Sequence, residues 1–305
     1  MSSYATLQGC RDQLDVSTTN VVDDAIVAAL IEQASVQIDA YVGASFQETY
    51  ATHTFPVEVG GRFAHLDGKH LLAAVTVKNA DTPTRTTIAA ADYTKLPEDG
   101  PPYTALILST DVYWLGPSDE GLYDDPDCLH PWHYSRVGWA RTGVQIAGRW
   151  GYHSEYARAW RASGLTLAGG GMTDSATTMT LSAAASTALD VGCVLRLTTG
   201  ADVEYMLVEG PVVGTAAATA LTVRRGYAGS TAVAHSAATV IYRFWPEPTV
   251  VLATQMLVAS LYAARQNPGG DRLVVEGIGA IQIPSGMPVK VKTLLEPYER
   301  GLYGR

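Results

Sequence analysis

The chain has 305 residues, 47% of them hydrophobic and 17% charged, with a formal net charge of -9. This composition excludes a disordered chain and opposes tight, sequence-independent nucleic-acid binding, which depends on neutralising phosphates. Cys10, Cys128 and Cys193 are scattered and odd in number, so neither a disulfide framework nor a Cys-x-x-Cys metal pair can be assembled from them.

The N-terminus, MSSYATLQGCRDQ, has no basic stretch followed by an apolar core, so no signal peptide is expected and folding in a reducing compartment is. Leu7, Cys10 and Leu14 stand at helical spacing and predict a short amphipathic helix within 4–16. A longer helix follows. Asn20 is placed to cap it, with Asp23 near the positive end of its dipole. Ile26, Leu30, Ala34, Ile38 and Tyr41 form one stripe, and Gly43 supplies a left-handed stop.

From about 47 to 150 the pattern changes to short apolar runs broken by Gly, Pro and Asp clusters: THTFPVEV, AAVTVKN, DYTKL, TALILS and GVQIAGRWGY. These predict strands of a small sheet, and SEYARAWRASG adds a helical turn. At Gly164 the composition shifts again. Residues 162–242 contain eight charged residues and no Lys. The segment opens with LAGGG, read as a flexible joint, and continues with TTMTLSA, CVLRLTT, VEYMLVEG, ALTVRRG and ATVIYRF. Regularly spaced strands of this kind predict a β domain at 164–243, inserted into a body made of 1–163 and 244–305.

Pro246 and Pro248 suit a helix start, where a missing N–H costs nothing. Val250, Ala253, Leu257, Leu261 and Ala264 then form one apolar face, and Val251, Val258 and Tyr262 a second. A helix apolar on two sides needs cover on two sides, so the first face, Val250, Ala253, Leu257 and Leu261, is taken as a candidate contact with a neighbouring subunit. The segment 249–264 is too short and too interrupted for a membrane span. EGIGAIQIP reads as a strand or hairpin, 288–296 as a last helix halted by Pro297, and the tail as YERGLYGR.

Three clusters invite a chemical reading. Asp124, Asp125, Asp127, Cys128, His130 and His133 are all metal-ligand types within DDPDCLHPWH. Pro131 separates the two histidines and Pro126 lies upstream, so a helix cannot easily present both, and the spacing fits neither a zinc site nor a calcium loop. A solvated turn is the simpler reading, and no metal or other cofactor is expected. Arg136, Arg141, Arg149, Arg158 and Arg161 interleave with Tyr134, Trp139, Trp150, Tyr152, Tyr156 and Trp160. Such a mixture can grip phosphates and stack bases, but strands with aromatics inside and Arg on the wet face give the same pattern. Arg136, Arg141 and Arg149 are kept as candidates for a face lining a DNA passage. In LTVRRGYAGSTAVAH, Arg225, Ser230 and His235 suggest catalysis, but no Gly-x-Ser-x-Gly elbow surrounds Ser230, and a glycine turn with His235 in a local hydrogen bond explains the segment. No enzyme is expected.

The order of elements carries a resemblance. The helix LIEQASVQIDAYVG, then FPVEV, AVTVKNAD, ADYTKL and VQIAGRWGY, then PEPTVVLATQMLVASLYAARQN and GMPVKVKTLLEPYERG resemble the head–tail connector (adaptor, head-completion) proteins of tailed bacteriophages. These marks cover about 1–160 and 246–305; the segment 164–243 departs from the family. The implied fold class is α+β, a helical connector body with a small sheet plus an inserted all-β domain, sandwich or barrel-like. The resemblance implies a ring of about twelve copies closed by head-to-tail interfaces. That ring would sit in the virion neck, below the portal protein and above a tail-side neck or tail-terminator protein. It would assemble in the host cytoplasm, pass double-stranded DNA through its lumen and touch no membrane. A negative subunit suits sliding rather than sticking DNA. Leu294, Leu295, Tyr298 and Tyr303 would suit docking into a portal or tail partner. The alternative is an attachment or decoration module whose β domain binds a capsid, tail or receptor surface.

Overall fold

The computed structural model describes residues 3–16, 22–57, 61–79, 85–110, 112, 114, 143–183, 189–200, 202–210, 219–266, 272–275, 279–282 and 286–299. It is mixed α+β, with helices alongside antiparallel sheets. The chain divides into two compact units: residues 48–152, and residues 1–47 joined with 153–305. Residues 164–243 belong to the same unit as the helices.

In the unit 48–152, β1 (Thr49–Pro56), β7 (Gly143–Trp150), β3 (Leu71–Lys78) and β4 (Thr87–Ile88) form a four-stranded sheet in that order. β2 (Phe63–His65), β6 (Ala105–Leu108) and β5 (Tyr93–Leu96) form a second sheet of three. Phe55, Leu71, Val77, Leu106, Leu108, Trp114, Val144, Ile146 and Trp150 make its core. β7 is central, paired with β1 on one side and β3 on the other. Gly148 is required there, since a Cβ would stand 2.4 Å from the Ala73 carbonyl oxygen.

In the other unit, α1 (Leu7–Leu14), α2 (Asp24–Val42), α4 (Pro248–Gln266) and α5 (Val289–Glu299) pack on one another. Thr6 caps α1 by accepting from Gly9 N–H, 3.2 Å away. α2 starts one step after Asp23, its N-cap, while the expected cap Asn20 lies outside the described residues. Gly43 stops α2 as expected, at φ 78. By length and composition alone α2 could reach across a bilayer, but its carboxylates are tied to the fold. Asp24 accepts from Arg11, Glu32 from Arg224, and Asp39 from the Tyr4 hydroxyl. α5 runs past Pro297 to Glu299 instead of halting before it; a proline in the last turn removes one N–H and does not end a helix already formed. A short α3 (Tyr156–Ala159) supplies the helical turn expected from SEYARAW.

The β segment forms an open six-stranded antiparallel sheet, ordered β8 (Trp160–Thr166), β13 (Val240–Phe244), β10 (Val194–Thr199), β11 (Asp202–Gly210), β12 (Ala220–Arg224) and β9 (Thr178–Thr180). It is not a closed barrel, though an isolated bridge links Leu167 to Leu181. Both faces are apolar. Leu195, Leu197, Met206, Val208, Leu221, Val223 and Ile241 fill one cluster. Trp160, Val194, Tyr205, Leu207, Tyr227 and Phe244 fill another. A sheet of this kind needs cover on both sides; α1 bonds to the turn before β10, Leu7 N–H to Val191 O at 2.9 Å and Gln8 N–H to Asp190 at 2.7 Å. The LAGGG stretch forms a turn, with Gly171 N–H donating to Ala168 O at 3.1 Å and Gly169 and Gly170 exposed. Gly171, at φ +74, sits where a Cβ would meet the His235 carbonyl at 2.2 Å. A last pair, β14 (Arg272–Val275) and β15 (Gly279–Gln282), is the hairpin expected from EGIGAIQIP.

Candidate functional site

Among the described residues, buried charged and polar side chains gather in a cluster between β10, β11 and the segment after β12. Glu204 stands in the middle of β11, in a run of buried residues. Its two oxygens accept from Arg225 Nε at 2.6 Å and Nη2 at 2.7 Å, from Gly226 N–H at 3.2 Å and from Val233 N–H at 3.1 Å. His235 Nε2 lies 2.9 Å from the same carboxylate, and His235 Nδ1 lies 2.7 Å from Thr199 Oγ1. The carboxylate fixes the imidazole proton on Nε2, which leaves Nδ1 to accept from the Thr199 hydroxyl.

Burial alone would raise the pKa of Glu204. The hydrogen bonds from Arg225, His235, Val233 and Gly226 outweigh it and pull the pKa down to about 2. The carboxylate is therefore ionised at neutral pH and balanced by the guanidinium. Arg225 is saturated too, donating to the carbonyls of Thr173, Ala176 and Val233 at 2.6 to 2.9 Å.

A hydroxyl, an imidazole and a carboxylate in line is the order used to activate a nucleophile. Here the Glu204 and His235 side chains are fully buried and Thr199 is half-buried. Ser230 is committed to backbone groups: its hydroxyl donates to Tyr227 O at 2.9 Å and accepts from Tyr205 N–H at 2.9 Å. The cluster pins the 225–235 segment onto β11, as the expected glycine turn and local His235 bond require, with a larger network than the sequence suggested.

The other candidates fall as follows. Asp124, Asp125, Asp127, Cys128, His130, His133, Arg136, Arg141 and Tyr303 lie outside the described residues. Among the described residues no group of three or more His, Cys, Asp or Glu could hold a metal ion. Arg149 pairs at 3.1 Å with buried Glu48, so its charge is spent inside its own unit rather than offered to DNA. Val250, Ala253 and Leu257 are buried in the chain's own core, with Leu261 half-buried. Val250, Ala253 and Leu257 therefore present no exposed surface to a neighbour, whereas Leu252 on α4 is 43% exposed. Leu295 is buried, Leu294 half-buried, and the Tyr298 ring packs edge-on against Phe46 at 4.9 Å, so these residues anchor α5.

Sequence reasoning missed Glu204 and the Arg–aromatic stacks. A lone Glu inside the apolar run VEYMLV was the available signal, since a buried charge demands a partner. The stacks set Arg196 over Trp160 at 4.6 Å and over Tyr242 at 5.2 Å, and set both Arg161 and Arg243 over Trp245 at 4.8 and 4.7 Å. Comparison with protein-family models, with curated proteins and with solved structures finds no match.

Proposed function

We propose that the chain is a structural head–tail connector subunit of a tailed phage: one copy in a ring of about twelve. The ring would join the portal protein to a tail-side neck or tail-terminator protein in the virion and let double-stranded DNA pass. The observation that carries this reading is the scarcity of unpaired charge on α2 and along 249–264 of α4. Asp24, Glu32 and Asp39 of α2 all bond within the chain, and between 249 and 264 α4 has no charged residue at all. Val36 on α2 is 47% exposed and Leu252 on α4 is 43% exposed. Apolar helix surface left in water favours association, and copies of a chain of net charge -9 meet with least repulsion where charge is lacking. The order of elements resembling the connector proteins points the same way.

For the attachment-module reading, the β segment is tied to the helices by Leu7–Val191, Gln8–Asp190 and Glu32–Arg224, while its main apolar cluster is drawn from its own residues. Electron microscopy of assembled particles with the chain labelled tests the connector reading: density in the neck is expected, and absence from the neck defeats it. Deletion of 165–242 separates the two readings. Loss of folding is expected, whereas an intact body that lacks only surface attachment would favour the module.

A further inference from the structure

His153 is the first residue of its unit after the chain leaves 48–152. Its imidazole is held on both nitrogens. Nδ1 accepts from the Glu155 N–H at 3.0 Å. A peptide N–H can only donate, so Nδ1 carries no proton and Nε2 does, donating to the Trp245 carbonyl at 3.0 Å. The ring is therefore neutral in this arrangement. A carboxylate stands beside it: Glu247 Oε1 is 3.6 Å from Nδ1 and accepts from the Ser154 N–H at 2.5 Å. The two side chains are 10% and 9% exposed. Glu247 immediately precedes α4, and its carbonyl accepts from the Val251 N–H at 3.0 Å; that end of a helix favours negative charge.

This imidazole can gain a proton only at Nδ1, where it would face the Glu155 N–H, donor against donor. The conflict separates His153 from His235, the other buried histidine with both nitrogens bonded. There the Nδ1 partner is the Thr199 hydroxyl, 2.7 Å away, which turns from donor to acceptor without moving its oxygen. A backbone amide has no such choice. The remaining neighbours do not relieve it. The Phe244 ring lies edge to face at 6.2 Å. The Glu155 carboxylate pairs in solvent with Arg158 at 3.0 Å, and Arg161 and Arg243 lie over the Trp245 indole. Among these groups Glu247 is left as the acceptor. We infer that His153 is a proton-operated latch. Neutral, it fastens residues 153–155 to the Trp245–Glu247 turn and holds the Glu155 amide. Protonated, it keeps its bond to Trp245, turns its charge to Glu247 and releases Glu155, so the chain entering α3 loosens. The latch uses contacts within one unit and does not depend on the connector reading.

The test is nuclear magnetic resonance of the full chain from about pH 8 to about pH 5, the range in which histidines change charge. Nitrogen shifts of the His153 ring report its proton, and hydrogen exchange reports the Glu155 and Ser154 amides. Circular dichroism confirms that the fold persists. As the ring protonates, protection of the Glu155 amide should fall about tenfold or more, while Ser154 stays protected. H153Q keeps an acceptor and a donor but takes no proton, and its Glu155 protection should be flat across the range. E247Q keeps an oxygen for Ser154 but removes the charge, and should move ring protonation about half a pH unit or more lower. Ring protonation with Glu155 still protected overturns the inference. So does a ring that stays neutral down to about pH 5 in the folded chain, or the same loss of protection in H153Q, which assigns the opening to another group. An unmoved midpoint in E247Q removes Glu247 as the acceptor and overturns the exchange of partners. If either variant fails to fold, the wild-type titration alone decides, because the ring and the Glu155 amide must change together.

Discussion

Arg225 holds Glu204 with two donors, Nε at 2.6 Å from one oxygen and Nη2 at 2.7 Å from the other, and both side chains are out of water. Removing one member of such a pair strands a buried charge and costs about 3–5 kcal/mol. Arg225→Ala and Glu204→Ala should therefore lower the melting temperature sharply in calorimetry, with the 225–235 segment becoming susceptible to protease. The pH dependence has a fixed sign. The folded pKa of Glu204, about 2, lies below its ordinary 4.5. Its contribution is complete above about 4.5 and is lost as pH falls toward 2. Urea midpoints measured down this range should decline more steeply for wild type than for Glu204→Gln. Equal slopes would show that the carboxylate is not held as the geometry indicates.

Leu257 and Leu252 separate core from contact on α4. Leu257 is fully buried, so Leu257→Ala should cost about 2–5 kcal/mol of stability whatever the assembly state. Leu252 is 43% exposed, and Leu252→Asp should leave the melting temperature of the dilute chain nearly unchanged while blocking assembly. Matched scans at low and high protein concentration check this. A stable assembly formed by Leu252→Asp would place the contact elsewhere.

The two helix faces show how far sequence reading reaches. Periodicity located α2 and α4 because buried positions recur every three to four residues, and Gly43 ended α2 because only a left-handed residue fits there. It could not say which apolar face of α4 points inward, since Val250 and Leu252 are equally apolar in sequence and only packing separates them. β11 shows the same limit. Its uninterrupted burial explains why VEYMLV lacks strand alternation, and it hid Glu204, whose role depends on Arg225 and His235 arriving from another strand and loop. The contact division at 47/48 and 152/153 has no mark in composition, because it follows which strands pair rather than where charge falls.

Cys10 and Cys193 are buried free thiols. Burial, with Asp190 adding to it, pushes Cys10 up to about 12. Burial pushes Cys193 up to about 11, with Arg243 pulling down and Asp190 pushing up. Neither forms appreciable thiolate near neutral pH, and the thiolate is the reactive species. Iodoacetamide at pH 8 should leave both unmodified in the folded chain and alkylate both in denaturant, read by peptide mass spectrometry. Rapid labelling of Cys193 without unfolding would contradict the packing of the sheet face around it.

His70 gives the 48–152 unit a pH response of its own. Its ring packs edge-on to Tyr152 at 5.1 Å, its Nδ1 is buried without a hydrogen-bond partner, and burial, followed by the nearby charge of Lys69, holds its pKa below the ordinary 6.5. As pH falls below about 6.5, the unfolded chain takes up this proton before the folded one does. The unit's stability is then complete above 6.5 and is lost as pH drops through the folded value. His70→Gln should flatten that part of the pH–stability curve. The ring-proton resonances of His70 should titrate with a midpoint under 6.5 in the intact chain; a midpoint at or above that value would mean the imidazole is solvated or paired, and the acid-side loss would need another source.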